Sequence, residues 1–385
     1  MKKLTLIIPA LILFIVAILF LSFSTQTYLG RWLKWRASDI LDYEKFPAHP
    51  FAASTHPFHF TPAHSMIFDT MTFASGKEIK LLQEVLGSSE TTAFLIIKND
   101  SLCFEGYFNG YKRESVNTSF SIAKSVTSLI IGKALEEGLI ANISDPVTRY
   151  LPELRQTDPR YDEVTIAHLL NMRSGVQFKD HDLPWGDKPK AYYDPFLRQR
   201  VQSLPVISEP GIDFKYNSYN PIILGMVIER VSKQSPAKYF EEKIWNRLGM
   251  EYPGSWSLDS DKSRMTKMES GLNLRAVDLA KIGRLVLEEG YWVNDQVVSD
   301  EWIKSSTTVS PDNHIPEFGT TYHYENFWWL ISSNQRKTDV ISGTGHLGQF
   351  LVIFPENKLI IVRMGKGLGK VRWNDIFKQI AEHLK

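Results

Sequence analysis

The sequence predicts an α+β fold: an antiparallel sheet flanked by helices, with a mostly helical domain inserted and a transmembrane helix in front. Three observations lead there. Strand–turn–strand patterns lie near both ends of the chain, around residues 92–108 and 349–364. Between residue 142 and about 262 the chain reads as helices and loops punctuated by Pro and Gly, with little strand signal. Residues 4–23 form an uncharged apolar run. At 385 residues and 43% hydrophobic the chain is long and apolar enough for a sizeable core. Its 44 Lys and Arg against 43 Asp and Glu leave a formal charge of +1, without the basic excess of a nucleic-acid-binding protein. A single cysteine, Cys103, excludes an intrachain disulfide framework and a cysteine zinc site.

Taken in order, the run LTLIIPALILFIVAILFLSF follows Met1-Lys2-Lys3 and as a helix would span about 30 Å, the thickness of a bilayer core. Ser22-Phe23-Ser24 is a poor match to a signal-peptidase site, so residues 1–30 are expected to be a membrane anchor or an uncleaved signal. Lysines and arginines flank the run on both sides, and charge alone does not orient it. Residues 31–64 are expected to be a linker or wrapping segment. Their stretch PAHPFAASTHPFHFTPAH carries His49, His56, His59 and His64, but prolines between them keep the chain extended and argue against convergence on a metal. Residues 65–385 then form the main domain, with a helical subdomain at about 142–265. Helices are predicted over 76–86, 121–137, 274–289 and 370–383, and strands over 92–98, 102–108, 328–332, 339–341, 349–354 and 359–364.

The candidate chemistry starts at Ser121-Ile122-Ala123-Lys124. An S-x-x-K spacing is weak alone, and a second copy occurs at Ser235-Pro236-Ala237-Lys238. Context separates them. Ser235 precedes proline as an N-cap precedes an N1 proline. Ser121 opens SIAKSVTSLIIGKAL, whose apolar content implies a helix buried through the domain. Three residues apart, Ser121 and Lys124 share a helix face. Burial would lower the lysine pKa and let a neutral amine take the serine proton. The helix start would also offer free N–H groups to a developing oxyanion. A second piece is Phe214-Lys215-Tyr216-Asn217-Ser218, which puts Tyr216 in a loop just before a helix; any lone tyrosine reads equally well as a core or surface residue. The third piece is Gly343-Thr344-Gly345, at the entry to the C-terminal hairpin. Gly343 to Gly348 also matches G-x-G-x-x-G, but it precedes a strand rather than a helix, so a dinucleotide site is rejected.

In this order the three pieces resemble the serine β-lactamase and penicillin-binding-protein superfamily. The chain is most similar to the class C-like branch, with its esterases and 6-aminohexanoate-dimer hydrolases. Supporting stretches are VTIAHLLNMRSGV, FKYNSYNPIILGMVIERVS, GLNLRAVDLAKIGRLVLEEG and GHLGQFLVIFPENKLIIVRMG. The resemblance implies a β-lactamase/DD-peptidase-like fold and hydrolysis of a small-molecule amide or ester through an acyl-enzyme, without metal or organic cofactor. It implies Ser121 as nucleophile, Lys124 as its partner and Tyr216 as proton relay. It further implies backbone N–H groups of Ser121 and His346 as the oxyanion hole, and Ser218, Gly343, Thr344 and Gly345 as substrate-binding positions. An extracytoplasmic location also follows from it. Two positions depart from the β-lactamase pattern: Ser218 stands where Tyr-x-Asn has asparagine, and Gly343 where Lys-Thr-Gly has lysine. Both weaken the expectation of penicillin turnover and favour linear amides or esters. β-Lactamase or D-Ala-D-Ala carboxypeptidase activity, or penicillin sensing without turnover, are the alternatives, and no oligomeric state is indicated.

Overall fold

The segment AFLII, residues 93–97, is apolar throughout, so a strand made from it needs cover on both faces. The computed structural model, which describes residues 24–75, 78–319 and 321–384 together with Pro9 and Phe14, supplies that cover. Among the described residues eight strands form the main sheet: β1 (Thr61–Pro62), β2 (Thr91–Lys98), β3 (Ser101–Tyr107), β4 (Tyr322–Glu325), β5 (Trp328–Ile331), β6 (Val340–Gly345), β7 (Gln349–Phe354) and β8 (Leu359–Gly365). Their spatial order is β4-β5-β6-β7-β8-β2-β3-β1. Only the short β1/β3 pairing is parallel. The β8/β2 ladder, from Leu359↔Lys98 to Gly365↔Thr91, joins the late strands to the early ones, as the two hairpins led us to expect.

Side chains alternate across a strand, and here the alternation divides two cores. Leu95 and Ile97 of β2, with Leu351 and Ile353 of β7, pack against a large core that includes α2 (Ile122–Glu136) and α5 (Ala276–Leu287). Phe94 and Ile96 face a smaller core with Trp373, Ile376, Phe377 and Ile380 of α6 (Trp373–His383), whose i, i+3, i+4, i+7 spacing makes one apolar stripe. Each fully buried side chain of this size contributes about 1.5–3 kcal/mol relative to exposure. A charge at either 95 or 96 would therefore break one of the two cores. Residues 122–134 of α2 are all buried, which matches its low polarity all round.

Several expectations need correction. Among the described residues no helix is long and apolar enough to cross a membrane. Apart from Pro9 and Phe14, the expected helix over 4–23 lies outside the described residues. The transmembrane element is accordingly withdrawn from the architecture, and the expected membrane-anchored, extracytoplasmic placement is withdrawn with it. The helix expected over 76–86 is instead a strand, Glu78–Leu81, followed by a helix, Leu82–Ser88; Gly76 and Lys77 lie outside the described residues. Strand β4 was not anticipated: YHYE is short and half polar, and it pairs with β5 through an Asn326-Phe327 turn in which both residues have positive φ. A second sheet was also missed. Its order is Ala48–Phe51, Gly254–Ser257, Leu272–Leu274, Asn117–Thr118, and it draws together segments far apart in sequence. Helix α1 (Tyr28–Trp35) is held nearby. The Arg31 guanidinium, 4% exposed, donates to the carbonyls of Thr25, Tyr193 and Asp259.

Candidate active site

The second sheet sets up the start of α2. Asn117–Thr118 is its edge, and the Ser119 N–H donates to the Leu272 carbonyl at 2.8 Å. Phe120 then takes a left-handed conformation, φ 48°, which costs a non-glycine residue of order 1 kcal/mol or more. This reversal starts the helix at once: Ala123 N–H bonds the Phe120 carbonyl and Lys124 N–H the Ser121 carbonyl, both at 3.0 Å. Ser121 is the N-cap of α2, with its N–H at the helix end where the axial dipole is positive.

Lys124 lies one turn in, 2% exposed. Its Nζ is 2.8 Å from Ser121 Oγ and 2.8 Å from the Glu269 carbonyl oxygen. Burial lowers the ammonium from its ordinary 10.5 to about 7, and the negative charge of Glu269 acts in the opposite direction. An amine so held is neutral in a large fraction of molecules near pH 7 and can accept the serine proton.

Tyr216 reaches the same point from the loop before α4 (Tyr219–Ser232). Its ring centroid is 5.1 Å from Lys124 Nζ, and its hydroxyl hydrogen-bonds with Ser121. Burial pushes the phenol up to about 12, with the Ser121 hydrogen bond opposing. The loop is pinned on both sides. Lys215 N–H donates to the Met172 carbonyl at 2.7 Å, and the Asn217 side chain donates to the Val176 carbonyl and accepts from Tyr219 N–H. Trp329 of β5 stacks on the Tyr216 ring at 5.9 Å and 22°.

Strand β6 brings up the third piece. A Cβ on Gly345 would lie 2.3 Å from the Ser119 carbonyl oxygen, so only glycine lets this strand end approach the start of α2. His346 follows, with its ring edge-on to Phe120 at 5.4 Å and burial lowering its pKa. Thr344, Gly345, His346 and Ser218 line the same cavity as Ser121, Lys124 and Tyr216. Gly343 does not. Its Cβ position faces α2, 3.1 Å from Ser125 Oγ and 3.4 Å from Ile122 Cγ2, so it spaces strand from helix rather than meeting a ligand. Ser235 is a helix cap, accepting from Lys238 N–H at 3.3 Å, while the Lys238 ammonium pairs with Glu241 and Glu242.

The cavity has a volume of about 1,120 Å³. Much of its wall was missed in the sequence. Trp32 and Leu33 come from the segment read as linker, Tyr192 and Tyr193 from α3 (Asp187–Tyr193), and Trp329 from β5. The density of aromatics over residues 28–46 was the available signal. Glu269 and Ser270 also line it, just ahead of the strand Leu272–Leu274.

A half-buried serine hydrogen-bonded to a buried lysine, with a tyrosine beside them in an aromatic-walled cavity of an α+β scaffold, defines a serine hydrolase acting on amides or esters. The profile of the β-lactamase family matches residues 80–385, and the chain belongs to that family. Among curated proteins it is 24% identical over 353 residues to the 6-aminohexanoate-dimer hydrolase of Paenarthrobacter ureafaciens, covering 87% of this chain and 85% of that one. It is 25% identical over 300 residues to the teichoic acid D-alanine hydrolase of Staphylococcus aureus, covering 72% and 70% respectively. Among solved structures, a candidate 6-aminohexanoate-dimer hydrolase from Bacillus anthracis superposes with a TM-score of 0.81 at 23% identity, covering 94% of this chain and 97% of that one.

Proposed function

We propose that this hydrolase acylates Ser121, with Lys124 as base and Tyr216 as the group that hands a proton to the departing amine or alcohol, and that its substrates are linear amides or esters. The observation that carries the reading is the 2.8 Å contact between Ser121 Oγ and a lysine Nζ that burial holds at about 7. Neutral Lys124 takes the hydroxyl proton while Oγ bonds to the substrate carbonyl carbon, and the carbonyl oxygen becomes an oxyanion. The N–H groups of Ser121 and His346 are the donors for that oxyanion. On collapse the C–N or C–O bond breaks, and the leaving group receives a proton through Tyr216, which recovers one from Lys124. Water attacks the acyl-enzyme by the reverse proton path and releases the acid.

Position 343 is a glycine turned towards α2, so no cation from it meets the carboxylate beside a β-lactam's scissile bond, which favours linear amides and esters. The 6-aminohexanoate-dimer and D-alanine hydrolases among the relatives are named for substrates other than β-lactams, which supports the same preference. Comparing kcat/KM for nitrocefin with that for p-nitrophenyl butyrate and a short linear amide tests it. The ester and the amide should be the better substrates. A wide margin for nitrocefin would replace this reading with a β-lactamase.

A further inference from the structure

Glu269 is a buried acid with no part in the steps above. It is 2% exposed and lines the active-site cavity. Its Oε1 accepts from Lys267 Nζ at 2.8 Å and from Ser270 Oγ at 2.7 Å, while Oε2, equally buried, has no hydrogen-bond partner among the described residues. Its backbone carbonyl accepts from Lys124 Nζ. Lys267, 1% exposed, also donates to the Tyr192 carbonyl and sits over the Tyr192 and Phe46 rings, 4.6 and 4.8 Å from their centroids. An ion pair taken this far out of water is weak evidence of a stabilising device, because the desolvation cost offsets the attraction.

We propose that Glu269 and Lys267 are positioning residues that jointly set the charge carried by Lys124: the carboxylate favours the ammonium, and the Lys267 cation paired with it opposes that pull. The inference rests on Lys124 acting as base. The groups facing Lys124 are few. From α2 there is the Ser121 hydroxyl, from the loop before α4 the Tyr216 phenol, and from the 267–270 turn Glu269 itself, while His346 after β6 lines the same cavity with its imidazole held below the ordinary 6.5 by burial. Behind the pair, the Tyr192 hydroxyl donates to Asp42 at 2.6 Å, and Asp42 pairs with Lys45, so that acid already has a cation of its own. The burial that lowers the Lys124 pKa is opposed by Glu269, in keeping with this arrangement. Exposed pairs of this kind have little reach, but inside the protein the low dielectric lets one charge shift a neighbour's protonation by a unit or more.

The test is the acidic limb of the pH dependence of kcat/KM for a p-nitrophenyl ester, measured on the full chain. Glu269→Gln removes the negative charge and leaves Lys267 unopposed, so the limb should move to lower pH by roughly one unit. Lys267→Met leaves Glu269 unopposed and should move it up by a similar amount. The double variant should return close to the wild-type limb. Glu269→Asp keeps the charge and should leave the limb in place. Loss of rate in all variants with no movement of the limb would assign the pair a purely structural role and overturn the proposal. So would movement of both single variants in the same direction. Glu269→Gln changes shape little, and decides the matter alone if Lys267→Met does not fold. Labelling of Ser121 by a fluorophosphonate in the wild type runs alongside. No adduct there removes the Lys124 mechanism itself; an adduct with unmoved limbs removes only the role of Glu269.

Discussion

Replacing Lys124 by methionine should abolish activity and make the protein more stable. The two effects share one cause. In the unfolded chain the amine keeps its ordinary 10.5, whereas in the folded protein burial brings it to about 7. The unfolded state therefore binds more protons between those values, and wild-type stability rises with pH across that window. Below about pH 7 both states are protonated and the folded protein carries the full cost of a buried charge, an upper bound of about 5 kcal/mol from the pKa difference. Methionine removes that cost but forfeits two hydrogen bonds, to Ser121 Oγ and the Glu269 carbonyl, at about 1–2 kcal/mol each. A net gain of about 1–3 kcal/mol at pH 6.5 remains, and it falls by about 3 kcal/mol towards pH 9.5, where the folded wild-type amine is neutral and the lost hydrogen bonds leave the variant the less stable of the two. Urea unfolding of both proteins at the two pH values measures the difference directly, and other titrating groups cancel in it. A variant less stable than wild type at pH 6.5, or a difference that does not change with pH, would refute the reasoning.

Tyr216→Phe keeps the stacking on Trp329 but deletes the hydroxyl, so amide turnover should fall much further than p-nitrophenyl ester turnover, since p-nitrophenolate leaves without a proton; equal losses would contradict a leaving-group role. Gly345→Ala forces a Cβ into the Ser119 carbonyl, and the resulting displacement of the strand end from Ser121 should lower kcat about a hundred-fold, read in steady-state kinetics against an unchanged circular dichroism spectrum. Ser235→Ala should leave kcat/KM intact and cost about 1 kcal/mol in urea unfolding, the worth of an N-cap.

What could be read from the sequence was whatever local pattern alone determines. The two hairpins, α2, α5 and α6 were legible because their apolar periodicity or turn residues lie within a few positions of one another. The serine, lysine and tyrosine were legible because a helix fixes the first two at three-residue spacing and the family pattern carries the third. The second sheet was not, since its four strands are two to four residues long and come from regions near 49, 118, 255 and 273. Glu269 escaped for the same reason: only that sheet, which holds Leu272 beside Ser119, brings the residues before it to Lys124. Gly343 was misread in detail. Its place in the motif was recognised, but its Cβ direction, towards Ser125, depends on how β6 crosses α2. The segment before residue 64 was read by its prolines, whereas its aromatics decide its position: Trp35 and Phe46 pack on Tyr192 and Tyr193 of α3, and Trp32 walls the cavity.

The account stands on Ser121 being the residue that carries the acyl group. Incubating the full chain with a slowly turned-over p-nitrophenyl ester, quenching in acid and mapping peptides by mass spectrometry tests this most directly. The acyl mass should appear on the peptide containing Ser121, at a stoichiometry near one per chain, and vanish together with turnover in Ser121→Ala. An adduct on Ser235 or any other residue, or hydrolysis that survives Ser121→Ala, would contradict it.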